Sequence, residues 1–274
     1  MSVKEPFPDL SEILVSIGEA GSRLAAIGAS EGGAGNISVS VGWPLEIRRQ
    51  FPVTAEIRLP LPAPHLAGWR IIVTGSGRRL RDIATDPAAN LGVVLVHPGG
   101  EAGTLHTSPR CLFESVTSEW NSHLGVHDDT VARTGTNFHA VVHAQPPHLV
   151  YLSHVPEYLD ETYFNRRLLR WEPETIVNLP QGVGVLPFMV PGSAQLMEAN
   201  IAGLRTHRVV LWAKHGVMTR SDISVTRAAD RIEYAETAAR YEYMDLLAGR
   251  RAEGLGLDEL RAVVGAFDVK TDIV

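Results

Sequence analysis

The chain has 274 residues, 45% hydrophobic and 20% charged, with 31 acids against 25 bases. That balance, −6 overall, argues against a surface that coats nucleic acid or a polybasic membrane patch, while small anionic substrates remain open through local sites. A single cysteine, Cys111, excludes an intrachain disulfide and thiolate-rich zinc or iron–sulfur sites, and fits a reducing cytoplasm.

Residues 1–8 hold no apolar run and do not read as a signal peptide. Ile13, Leu14, Ile17, Ala20, Leu24 and Ile27 recur at three- and four-residue steps and predict an amphipathic helix over 10–27. Glycines 28, 32, 33 and 35 break it, and N-I-S-V-S-V (36–41) alternates as a half-buried strand does. A proline-rich connection (Pro52, Pro60, Pro62, Pro64) leads to strands at 70–73 and 91–97, neighbours in a mixed or antiparallel sheet. Neither 91–96 nor 183–190, the longest apolar stretches, approaches the ~20 residues of a spanning helix.

A helix is predicted from about 117 to 132, with a hydroxyl N-cap, an acid in the first turn, and Leu124 and Val131 facing inward. A strand over 138–145 ends at Pro146-Pro147, followed by a short helix through Leu152. Strands are expected at 175–179 and 208–212. Helices are expected at 194–206, at 222–248 (Ile223, Ala228, Ile232 and Ala235 on the apolar side) and at 257–267. Strands followed by helices without strict βαβ rhythm predict α+β or a three-layer α/β/α unit.

Seven of the eleven histidines (106, 123, 127, 139, 143, 148 and 154) crowd one stretch. On a strand His143 and Gln145 share a face, a metal can sit across them, and His215, just before Gly216, can supply a third ligand with Glu119 beside it. On spacing alone, His143 and His215 read first as buried rings satisfied by backbone and second as ligands, and Gln145 reads as a polar strand end. His148 and His154 read as packing or surface residues, and His123 and His127 as a solvated helix face rather than a metal face. The run T-G-S-G-R-R (74–79) directly after a strand can converge backbone N–H groups, the Ser76 hydroxyl and arginine charge on a phosphate; a tight turn with exposed arginines is the even alternative.

Five runs in register, G-N-I-S (35–38), V-T-G-S-G (73–77), T-S-E (117–119), H-A-Q-P-P-H (143–148) and L-W-A-K-H-G (211–216), resemble the class II aldolase/adducin family over about residues 10–268. Runs at 86–92, 181–192 and 209–217 are most similar to its bacterial branch acting on L-rhamnulose 1-phosphate. The resemblance implies one α/β/α domain over 1–274 with a mostly antiparallel sheet. It also implies retro-aldol cleavage of a ketose 1-phosphate to dihydroxyacetone phosphate and L-lactaldehyde through a metal-stabilised enediolate. Alternatives on the same scaffold are a sugar-phosphate epimerase, a dehydratase, or a non-catalytic adducin-like protein.

Carried over residue by residue, the resemblance implies Glu119 as the acid/base and His143 and His215 as metal ligands. Asn36, Ser76, Thr117 and Ser118 are implied to hold the substrate phosphate together with the turn at Gly77. Gly33 stands where the family has a further asparagine. Glu174 matches a glutamate reaching in from a neighbouring subunit of a homotetramer. Gln145 stands where the family has its second metal histidine. The implied cofactor is therefore a divalent cation, zinc first, with Mn²⁺, Co²⁺ or Mg²⁺ as alternatives if Gln145 ligates through oxygen, and with His148 or His154 as substitute ligands.

Overall fold

Asp9 and Glu12 start the first helix, α1 (Leu10–Ala26), by a reciprocal pair of bonds: each carboxylate accepts the other residue's backbone N–H at 2.9 Å. The computed structural model describes residues 2–274. After α1 come β1 (Asn36–Val41), β2 (Val53–Arg58), β3 (Arg70–Thr74), the single-turn α2 (Leu80–Ile83) and α3 (Pro87–Asn90), β4 (Leu91–Val96) and β5 (Ala102–Thr107). The middle of the chain forms α4 (Trp120–Thr134), β6 (Phe138–Ala144), α5 (Pro147–Leu152), α6 (Glu161–Leu168), α7 (Pro173–Asn178) and β7 (Gly184–Leu186). It closes with α8 (Ala194–Thr206), β8 (Val209–Trp212), β9 (Gly216–Ser221), α9 (Val225–Leu247) and α10 (Leu257–Ala266).

The strands form one sheet in the order β2-β5-β4-β3-β1-β6-β9-β8-β7. Among the described residues every pairing is antiparallel except that of β7 with β8. Because side chains alternate across a strand, the two faces receive different residues. Ile37, Val39 and Val41 of β1, Ala140 and Val142 of β6, and Val209 and Leu211 of β8 pack against α1 and α9 in the larger core. On the opposite face Val141, Val210, Trp212 and Met218 meet α4 and α8. Helices on both faces of a mostly antiparallel sheet make the expected α/β/α three-layer unit.

Gly18 and Gly21 let α1 press onto α2: a Cβ on Gly21 would lie 2.5 Å from the Leu80 carbonyl oxygen, and one on Gly18 2.7 Å from the Ala84 Cα. Arg23 then ties α1 to α9 through Asp230 and Glu233, each at 2.7 Å. Ser193 and Ser224 cap α8 and α9 by accepting the N–H of Leu196 and Arg227. Among the described residues no helix is long and apolar enough to cross a membrane.

Several expectations are corrected. Residues 175–178 belong to a helix, α7, with Leu179 as its C-cap, and not to a strand: Pro173 pre-sets the first turn, and Thr175, Ile176 and Leu179 are buried at helical spacing, so the β-branched pair is a helix's inner face. The proline-rich connection contains strand β2, which the sequence hides because it is an edge strand exposed along almost its whole length. The hydroxyl N-cap before α4 is absent. Glu119 occupies the cap position and makes no capping bond, because its carboxylate turns back into the protein. Ile223 stands exposed ahead of α9 rather than on its apolar side. Gln145 lies one residue past the end of β6.

Candidate active site

The register of β1 against β6 places Asn36 opposite His143. The α4 cap residue Glu119 comes down onto this pair: the Asn36 amide donates to its Oε2 at 2.9 Å, and His143 Nε2 lies 3.6 Å from the same oxygen. His215 arrives from the loop joining β8 to β9, where Trp212 pairs with Gly216 and Lys214 takes a left-handed φ of 66°. That turn is held by Ser153, whose hydroxyl accepts the Lys214 N–H at 2.7 Å. His215 Nε2 then stands 3.9 Å from Glu119 Oε1, and one ligand atom each from Glu119, His143 and His215 fall within 4.8 Å of one another.

The tautomer of His143 is set by its surroundings. Its Nδ1–H donates to the Val217 carbonyl at 2.8 Å, so its Nε2 lone pair faces Glu119. Its ring stacks on Trp212 at 4.4 Å between centroids, and the Trp212 N–H is anchored on Asn200 of α8. An imidazole oriented through a backbone carbonyl, a second imidazole and a carboxylate at this separation are a donor set that fits a divalent cation. Burial alone pushes the Glu119 carboxyl up, but the electrostatic influence of His143, the Asn36 hydrogen bond, and the His123 and His215 rings outweigh it, so its pKa lies below the ordinary value. For His215, burial and the neighbouring His143 lower the pKa.

Gln145 flanks the same cluster. A Cβ on Gly216 would meet His143 Cε1 at 2.9 Å and Gln145 Cγ at 3.2 Å, so both side chains pack on that glycine. The Gln145 N–H donates to Ala29. The two substitute ligands lie elsewhere. His148 is committed to Glu236 of α9, which accepts its ring N–H at 2.6 Å as well as the backbone N–H groups of His148 and Leu149, and His154 is exposed beyond α5.

The glycine-rich turn is joined to the segment before α4. Gly75 bridges to Val116, the Ser76 N–H donates to Ser115 and the Thr117 N–H to Thr74, so 74–77 and 115–118 run side by side. Only glycine fits at 75, where a Cβ would lie 2.1 Å from the Phe113 ring. Ser76, Gly77 and Ser118 are exposed along this seam, Thr117 is buried, and Gly33 sits against the Gly77 carbonyl. Asn36 is on the Glu119 side, with its amide engaged by Glu119 and His123. Glu174 is outside the cluster, exposed on α7.

The solvated face expected for His123 and His127 is overturned. Both rings are fully buried under β1, together with His139 of β6. They meet Ser38 and Ser40, the inward polar residues of N-I-S-V-S-V, and the available signal was that the residues alternating with Ile37 and Val39 are small hydroxyls facing a helix with histidines four apart.

The chain's residues 15–243 match the family described as class II aldolase and adducin N-terminal domain. A rhamnulose-1-phosphate aldolase of Klebsiella pneumoniae is 35% identical over 215 residues, covering 78% of this chain and 76% of that protein. The Bacteroides thetaiotaomicron protein of the same name is 28% identical over 270 residues, 98% of each chain. A solved sugar-phosphate aldolase from Thermotoga maritima superposes with a TM-score of 0.74 at 28% identity, covering 89% of this chain and 99% of its own. With the match running through the sheet, the Glu119 cluster and the glycine-rich seam, the chain belongs to the class II aldolase and adducin family.

Proposed function

We propose that this chain, a class II aldolase, cleaves L-rhamnulose 1-phosphate to dihydroxyacetone phosphate and L-lactaldehyde. The observation that carries the reading is the meeting of Glu119, His143 and His215 within 4.8 Å in a chain similar over most of its length to proteins named for that activity. His143, His215 and Gln145 would hold a divalent cation, zinc first, with Mn²⁺, Co²⁺ or Mg²⁺ favoured to the extent that the Gln145 amide oxygen ligates. When bound, such a cation draws electron density from substrate oxygens and so eases breaking of the carbon–carbon bond.

The protein's own groups divide the remaining work. Ser76, Gly77, Thr117 and Ser118, with Asn36, hold the phosphate end, so binding energy remote from the reacting bond fixes its orientation. Glu119 is kept ionised by its neighbours and is placed to take a proton from, and return it to, the nucleophilic carbon of the three-carbon phosphate. Glu174, exposed on α7, is the residue that a neighbouring copy in a homotetramer would bring to the aldehyde half. The test is release of dihydroxyacetone phosphate from L-rhamnulose 1-phosphate by chelated protein and after restoring each of the four cations. Release that returns with a cation supports the reading; no release with any of them removes the rhamnulose assignment.

A further inference from the structure

The polar side of β1 continues beyond Asn36, away from the cation cluster. Asn36 Oδ1 lies 2.5 Å from His123 Nε2, His123 Nδ1 lies 2.6 Å from the Ser38 hydroxyl, and that hydroxyl lies 2.7 Å from His127 Nε2. Beyond it, His127 Nδ1 is 2.8 Å from His139 Nδ1, with the Ser40 hydroxyl at 3.0 Å as a side branch. Ser38, His123, His127 and His139 are fully buried. We propose that Asn36, His123, Ser38 and His127 form a one-way hydrogen-bonded chain that holds the Glu119 carboxylate in place, which makes Ser38 and His123 positioning residues for the reaction assigned above. The proposal rests on that reading for its link to turnover.

The direction follows from counting donors. An ionised carboxylate only accepts, so Asn36 presents its N–H to Glu119 and its oxygen to His123, which must therefore carry the proton on Nε2. Buried neutral His123 has a bare Nδ1, which accepts the Ser38 O–H, and the Ser38 oxygen in turn accepts the His127 Nε2–H. His127 Nδ1 is then bare and takes the His139 Nδ1–H. The chain ends on His139 Nε2, a buried nitrogen without a partner, left as a lone pair rather than a stranded N–H. Neutral rings are what this burial dictates: it pushes His123 down to about 3 and His127 and His139 well below the ordinary histidine value. Chains of this kind polarise one another, so each member restrains the next.

A purely structural role, tying α4 to the sheet, uses the same contacts but predicts different consequences. Ser38→Ala removes the hydroxyl between the two rings. Ser40→Ala removes an equally buried hydroxyl from the same face but off the chain, because His127 Nδ1 keeps the His139 N–H. Both variants are compared with the wild type for kcat, KM and melting temperature, and the wild-type rings by ¹⁵N NMR. The expected result is a kcat lower by about 10- to 100-fold for Ser38→Ala with a smaller rise in KM through Asn36, with Ser40→Ala at the wild-type kcat and KM, and Nε2–H tautomers on His123 and His127. Equal kcat for the two folded variants, or an Nδ1–H on His123 or His127, overturns the proposal. If the wild type cleaves no ketose 1-phosphate, the functional reading has failed and the ring tautomers alone decide: Nε2–H on both retains the one-way chain to Glu119, and Nδ1–H on either removes it.

Discussion

Strand β1 shows two ways of filling a protein interior. Toward α1 and α9 it sends Ile37, Val39 and Val41 into a core of aliphatic side chains; toward α4 it sends Asn36, Ser38 and Ser40 against His123, His127 and Glu119. The first face needs volume and shape and tolerates repacking, because burial of apolar area is non-directional. The second needs every donor matched to an acceptor, because an unpaired polar group in a low-dielectric interior is costly. Adjacent residues of one strand therefore serve stability and chemistry separately, and substitutions should separate them in the same way.

The largest separation is expected at Glu119. Glu119→Gln keeps the shape but not the charge, and should lower kcat by about 10²- to 10⁴-fold while His143 and His215 still bind a cation, measured by turnover beside a cation titration. Unchanged turnover would remove Glu119 from proton transfer. The mirror experiment is Ile232→Ala on α9, fully buried on the aliphatic face. It should cost about 2–5 kcal/mol in urea unfolding and leave kcat per folded molecule intact.

Acid sharpens the comparison next, since the polar face holds three buried rings that protonate on unfolding, whereas Ile37, Val39 and Val41 on the aliphatic face do not titrate. In the unfolded chain histidines titrate near 6.5, whereas the folded state keeps His123 neutral down to about 3 and His127 and His139 neutral as well. Their contribution is fully present above 6.5 and is lost as pH falls below it, because the unfolded chain then binds protons the fold refuses; the slope is about 1.4 kcal/mol per pH unit for each ring. Denaturation midpoints followed from neutral pH downward check this, and a flat profile would mean the rings are charged in the fold. The smallest effect should come from Arg23→Ala, which removes half-exposed ion pairs between α1 and α9: about 0.5 kcal/mol by the same unfolding assay, weakened further by salt.

Much of the aliphatic face was legible in the sequence. The periodicity of α1, the alternation of β1, and the termini of α8 follow from local rules, and they hold to within a residue or so. The failures occur where local pattern and tertiary environment disagree. Residues 175–179 look like a strand because Thr175, Ile176 and Val177 are β-branched, yet Pro173 and packing against α9 make 175–178 helical. His123 and His127 look solvated because polar helix positions usually are, and only the serines of β1 beneath them make burial affordable.

By itself, then, the sequence determined the helices with strong caps and stripes, the alternating strands, and the runs that mark the family, because each is written in spacings of a few residues. Tertiary structure decided which face of each element looks inward and which distant groups meet. It took the β1–β6 register, the tight turn at Lys214 and the turned-back cap residue of α4 to bring Asn36, Glu119, His143 and His215 together from positions up to 179 residues apart. It also took burial to lower the pKa of Glu119's histidine neighbour His123. Spacing along a chain records local geometry, whereas desolvation and hydrogen-bond partnership arise only when remote segments exclude water from one another.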